Sequence, residues 1–350
     1  KIIDKKSGIV SNDVKTLLLR SNGNIWVGTD SGISICDGLN FKNNITKNDG
    51  LVSNKILSLA EDNLGNVWIG TRNGLSVKLK DTIINIGISD GLKQLRIKSI
   101  LIDRNNNVWI GTRNGIGKFK IQDLKNKKFE IKWFTQNNGL SNNRIRCLYE
   151  DLSGAIWIGT YFGGINMLFN DYFTLQKKSH GLTDDAVSFV KESKFDGSIW
   201  LGVYGSGLNV LKDKSIISLN TKEGLSNDFI NAIVHIDSLN TVVGTDDGIN
   251  LIKHNEVVEI WDSYNGVFKN NKIFCITETF FGKTVPFIVS LLCHHPKYKW
   301  AQCFDLKNNP EDYINLTPES LEHFMSKSPK IIRNLKSNKS PIIMNSNHVS

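Results

Sequence analysis

Six positions in the chain change chemistry while their surroundings stay constant. Asp30, Arg72, Arg113, Tyr161, Tyr204 and Asp246 each stand two residues after the glycine of a recurring phrase. Guanidinium forks, phenols and carboxylates on a concave rim suit hydrogen bonding and stacking with a sugar or another small polar ligand. A second varied set, Lys55, Arg96, Arg144 and Phe229, opens the short apolar run that precedes each phrase. Solvated turn residues are the competing reading for both sets, since nothing in the residue types alone demands a ligand.

Other chemistry-bearing residues lead nowhere. Gly282-Lys283-Thr284 looks like the end of a phosphate loop, but Thr277 stands where the earlier glycine belongs. His294-His295 lacks a third metal ligand at a recognised spacing. The Asp and Asn clusters EDNLG and DRNNN lack the order of a calcium loop and serve equally as turn formers. The five cysteines, Cys36, Cys147, Cys275, Cys293 and Cys303, form no CxxC pair, which argues against a disulfide framework or a zinc site. Cys147 and Cys275 occupy the same apolar slot of the repeat and are expected to be packing residues. No catalytic residue, cofactor or metal is assigned, and catalysis is not expected of this chain.

The elements that position the varied residues are repeats. The phrases NIWVGTDSGIS, NVWIGTRNGLS, NVWIGTRNGIG, AIWIGTYFGGIN, SIWLGVYGSGLN and TVVGTDDGIN are anchored at Trp26, Trp68, Trp109, Trp157, Trp200 and Val242, at spacings of 42, 41, 48, 43 and 42. A second phrase of the GLSN type precedes each, at Gly8, Gly50, Gly91, Gly139, Gly181 and Gly224. Between them run short bursts of alternating apolar residues, as in KILSLAED, NVWIGT, LSVKLKD and KFEIKWF. Four short antiparallel strands in each repeat make the blade of a β-propeller, with the Trp filling the wedge between blades. Gly28, Gly70, Gly111, Gly159, Gly202 and Gly244 serve either close packing or a positive φ.

The fold class is therefore all-β: a propeller of six full four-stranded blades plus a partial seventh, over residues 1–278. The segment KIID offers an outer strand to that seventh blade and KIFCITE its inner one, which leaves its two middle strands missing and the wheel incomplete or open.

The GLSN turns joined to IWIGTxxGL phrases resemble the two-component regulator propeller family, over residues 1–278. The resemblance implies the extracytoplasmic sensor of a hybrid histidine kinase, a periplasmic location and a polar ligand such as an oligosaccharide. The kinase, the membrane helix and a second wheel lie outside this chain.

At residue 279 the register breaks, and the composition shifts toward Pro and His. The segment 279–350 resembles the barrel-like region of exonuclease I, through Phe281-Gly282, His295-Pro296, Asp305-Leu306, Leu316, Leu321 and Asn338-Lys339-Ser340-Pro341. That resemblance implies contacts to single-stranded DNA through Lys330, Arg333, Lys336 and Lys339, competing with a solvated lysine-rich loop. The family's metal-binding carboxylates belong to a domain not found here. A helix is expected over Pro318–Met325, with Thr317 as its N-cap.

The net charge of +9 comes from lysines spread through every repeat, so a soluble basic surface is preferred to a polyanion site. No apolar run is long enough for a membrane span, and a chain that opens on Lys1 is expected to continue upstream. Three functional readings remain: a non-catalytic ligand-sensing propeller, a DNA-processing protein acting through its tail, or a chimera of unrelated reading frames with no integrated function. The first implies a periplasmic protein and the second a cytoplasmic one.

Overall fold

The computed structural model describes residues 2–3, 8–37, 40–213, 215–262, 273–275, 290–294 and 299–303. The expected helix over Pro318–Met325 and the exonuclease-like residues beyond 303 lie outside the described residues.

Six consecutive four-stranded antiparallel sheets follow the repeat, each in simple sequential order. Their inner strands are Val14–Leu19, Ile56–Glu61, Ser99–Ile102, Ile145–Glu150, Val187–Glu192 and Ile230–His235. Each Trp phrase forms the second strand, as in Val67–Thr71. Each inner strand packs beside the next around a common axis, and Ile273–Cys275 completes the circle between Ile230–His235 and Val14–Leu19. The six full blades and the inner place of KIFCITE agree with the sequence reading.

The seventh sheet differs from the reading that its middle is missing. Ile273–Cys275 pairs with Ser290–His294, which pairs with Lys299–Cys303, whose free edge receives Ile2–Ile3. Strands from both ends of the described chain thus share one sheet, which removes the open edges that an unclosed wheel would expose. Two of these strands lie beyond residue 279, and their sequences carry neither repeat phrase.

The core consists of wedges between blades. Trp26, Ile33 and Ile45 of blade one pack on Leu51, Ile56 and Val67 of blade two. Trp68, Leu75 and Ile86 pack likewise on Ile97, Ile110 and Phe119 of blade three, and the Trp68 and Phe119 rings meet edge to face at 5.4 Å. Trp109 and Trp200 repeat this role in later wedges. Removing such a buried indole costs about 3–5 kcal/mol.

The phrase glycines are explained by packing rather than by φ. None of them has a positive φ. A Cβ on Gly28 would lie 2.6 Å from Thr16 Cγ2 and 2.8 Å from Ile56 Cγ2 of the next blade, and one on Gly111 would lie 2.7 Å from Ile145 Cγ2. Positive φ is instead required in the GLSN turns, where Gly50 (φ 104°) ends a short 3-10 turn and donates its N–H to the Lys47 carbonyl.

The Asp-rich loops are turn formers at one end of the wheel. Asp62 accepts the N–H groups of Leu64 and Asn66 and, at 2.9 Å, the indole N–H of Trp68. Asp103 and Asp151 do the same for their own turns and for Trp109 and Trp157. One carboxylate therefore satisfies both the hairpin backbone and the buried indole behind it.

Candidate functional site

The other end of the wheel carries the varied residues. It is built by a threonine clamp: the hydroxyls of Thr29, Thr71, Thr112, Thr160 and Thr245 donate to the carbonyls of Gly32, Gly74, Gly115, Gly164 and Gly248 at 2.8–3.1 Å. The same oxygens accept backbone N–H groups from the turn, such as those of Ser31 and Asn73. All five threonines are wholly buried. The residue following each clamp is thereby fixed in place, whatever its side chain.

That residue meets the start of the inner strand. The backbone N–H of Arg72 donates to the Lys55 carbonyl, that of Tyr161 to Arg144 and that of Asp246 to Phe229. Asp30 and Tyr204 bond in the same way to Asp13 and Ala186. The two varied sets identified in the sequence therefore adjoin on one mouth of the wheel. Asp30, Lys55 and Arg72 come together around a cavity of about 480 Å³, with Ser31, Ser53, Asn54 and Asn73.

A third set is absent from the sequence reading. Each of the inner strands Val14–Leu19, Ile56–Glu61, Ile145–Glu150, Val187–Glu192 and Ile230–His235 carries a register shift at its second residue, which leaves Lys15, Leu57, Arg146, Ser188 and Asn231 without a ladder partner. Lys98 holds the same place in blade three. A bulge redirects a side chain out of its sheet. Lys98 is near enough to Arg146, Arg96 and Lys15 for their charges to act on its ammonium, and Arg146 reaches the Tyr161 ring of blade four and the Tyr204 ring of blade five. The signal for this set was present in the sequence: each bulge residue follows an invariantly aliphatic one (Val14, Ile56, Ile97, Ile145, Val187, Ile230) yet is itself varied.

The mouth is electrically divided. Its acidic side is locally satisfied: Ser11 and Ser31 donate to Asp30 at 2.6 and 2.8 Å, Lys15 pairs with Asp13 at 2.6 Å, and Asn231 donates to Asp246 at 2.8 Å. Its basic side holds Arg72, Arg96, Lys98, Arg113, Arg144 and Arg146. Burial first, then the charges of Arg113 and Arg72, hold Arg96 below the usual guanidinium range. Lys98 is exposed to solvent at the axial opening, though many protein atoms of the inner strands surround it. Burial first, then Arg146 and Arg96, lowers the pKa of its ammonium.

The tyrosines are already engaged. The Arg144 and Arg146 guanidinium carbons lie 4.2 and 4.8 Å from the centre of the Tyr161 ring, and Arg146 also lies 4.6 Å from that of Tyr204. Phe162 and Phe229 meet Tyr161 and Tyr204 edge to face. The phenol rings thus lie within cation–π distance of guanidinium groups, on the rim that the sequence reading assigns to a polar ligand. Cys147 is a packing residue beneath Gly159, and burial pushes its thiol up to about 12. The side chain of Cys275 lies outside the described residues, as do Lys330, Arg333, Lys336 and Lys339. Among the described residues no cluster of ligating side chains could hold a metal ion.

Residues 8–31, 50–73, 91–114 and 139–162 match the two component regulator propeller family. These four segments carry the repeat of that family. Among solved structures it is similar to the extracellular domain of a hybrid two component system from B. thetaiotaomicron, at 23% identity and a TM-score of 0.70, over 81% of this chain and 38% of that one. The extracellular domain of a one component system from the same organism gives 21% identity and a TM-score of 0.65, over 83% and 38%. Virginiamycin B lyase from Staphylococcus aureus gives 13% identity and a TM-score of 0.62, over 83% and 94%. At these identities the likeness is one of fold. The chain spans well under half the length of the two component relatives. No curated protein matches its sequence.

Proposed function

We propose that this propeller is a non-catalytic binding module that captures a small polar ligand, such as an oligosaccharide, at the mouth carrying Asp30, Arg72, Arg113, Tyr161, Tyr204 and Asp246. It would act as the sensing part of a longer signalling protein, as the likeness to extracellular domains of two component systems suggests. The observation that carries the reading is a division of labour within the repeat. Clamp threonines, packing glycines and wedge tryptophans recur because the fold needs them, whereas the residues after the clamp, at the inner-strand start and at the bulge differ from blade to blade and adjoin on one mouth. A lyase shares the fold, so architecture alone does not separate binding from catalysis. The residues of this mouth favour binding: its carboxylates are engaged by neighbouring hydroxyl, amide or ammonium groups, and Arg144 and Arg146 lie against aromatic rings.

The test replaces Arg72 and Arg113 with Ala and measures binding of an oligosaccharide panel by calorimetry. A ligand seen by the unaltered protein is expected to bind about tenfold or more weakly to the double variant, as loss of charge-assisted hydrogen bonds requires. Unchanged affinity would remove the mouth as the site.

A further inference from the structure

The mouth holds positive charge that the fold does not use. Elsewhere in the wheel, cations meet carboxylates: Arg20 with Glu61 at 2.7 Å, Arg104 with Glu150 at 2.9 Å, Lys212 with Asp196 at 2.9 Å. Among the described residues none of Arg72, Arg96, Lys98, Arg113, Arg144 and Arg146 has such a partner. They neighbour one another instead, on blades two to four, with Arg96 and Arg146 half-buried and the other four exposed at the mouth. Of the acidic groups at the mouth, Asp30 shares a cavity with Lys55 and Arg72, while Asp13 pairs with Lys15 and Asp246 accepts from Asn231, away from Arg144 and Arg146.

We infer that the basic half of the mouth is an anion site, and that the captured ligand presents a carboxylate, sulfate or phosphate group to Arg144 and Arg146, with Lys98 behind them. Two guanidinium groups share the Tyr161 ring, at 4.2 and 4.8 Å from its centre, which brings two forked donors together for one oxyanion. Tyr161 and Tyr204 are positioning residues in this site. A neutral sugar would leave the charge cluster uncompensated, whereas an anion removes the mutual repulsion as it binds. This inference rests on the reading of the mouth as a ligand site and narrows its ligand to a charged one.

The experiment titrates the chain at low salt with three probes: a uronic acid disaccharide, the methyl ester of the same disaccharide, and inorganic tripolyphosphate. The acid is expected to bind about tenfold or more tightly than its ester, and the double variant R144Q/R146Q to lose about tenfold or more of that affinity. The variant K120Q/K128Q, which removes the same charge from the outer strands of blade three, is expected to bind as the unaltered chain does. Tripolyphosphate binding that depends on Arg144 and Arg146, without uronide binding, would support the anion site and assign it to a phosphate or sulfate ligand. Equal binding of acid and ester would overturn the anion site while leaving a polar-ligand mouth in place. No binding of any probe would overturn both. A thermal melt separates ligand binding from scaffold roles: R144Q/R146Q is expected to melt at the same temperature or higher, because repulsion is relieved, and a fall of several degrees would show the arginines to be structural and end the proposal.

Discussion

The two ends of the wheel use the same kinds of residue for opposite purposes. At the end bearing the Asp-rich turns, arginine joins blades: Arg20 of blade one grips Glu61 of blade two and the Gly65 carbonyl, while Arg104 of blade three grips Glu150 and the Leu152 and Asp151 carbonyls of blade four. Leu152 continues the series by donating its N–H to Glu192 of blade five. At the mouth, arginines on the same blades meet other cations and aromatic rings. An unpaired, crowded charge costs folding free energy that a paired one returns. A charge kept at such a cost marks a place maintained for something other than the fold.

Substitutions should break this contrast in a graded way. The largest effect is expected from Asp103→Ala at the turn end, which removes the acceptor of two backbone N–H groups and the buried Trp109 indole. Chemical unfolding should show a loss of about 3 kcal/mol or more. A comparable but pH-dependent effect is expected at His235. It is buried against Trp200 at the place where blades two, four and five carry Glu61, Glu150 and Glu192. Burial first, then Lys191, lowers its imidazole to about 4, with Lys194 adding and Asp196 opposing. The unfolded chain protonates this group near 6.5 while the folded one resists until about 4. Its contribution is therefore complete above pH 6.5 and lost as the pH falls to 4, by about 3 kcal/mol at most. Unfolding curves across that window should lose this part of their slope in His235→Phe.

A smaller loss, about 1–2 kcal/mol, is expected for Arg20→Gln in the same unfolding assay, since its two N–H groups converge on one oxygen of a Glu61 that is only partly exposed. The smallest effect belongs to the mouth. Arg96→Gln should change stability by no more than about 0.5 kcal/mol, and upward, through relief from Arg113 and Arg72. A loss equal to that of Arg20→Gln would erase the distinction between the two ends.

The scaffold was readable in the sequence because packing demands particular residues at particular places. Trp68 must fill a wedge, Gly28 must admit Ile56 of the next blade, and Thr71 must close its turn, so each returns in nearly every repeat. The site was half readable: residues after the clamp betray themselves by varying against a constant background. Arg146 and Lys98 escaped because a bulge depends on ladder register, which local residue preferences do not encode. The middle strands of the seventh sheet escaped for a related reason. Ser290–His294 and Lys299–Cys303 are specified by pairing with distant strands and carry no repeat phrase. The Arg20–Glu61 latch joins residues far apart in the chain whose types are ordinary on any surface.

The bulge in each inner strand has a consequence for how such a protein can be altered. Its extra residue has no residue paired opposite it, and its neighbours Ile145 and Ile230 carry the packing. Exchanging Leu57, Arg146 or Ser188 should therefore leave the wheel standing. Each blade contributes one such exchangeable letter, and under the proposed function the short word written around the axis would select what the wheel admits. Respelling that word one blade at a time offers a route to receptors of chosen specificity on an unchanged frame.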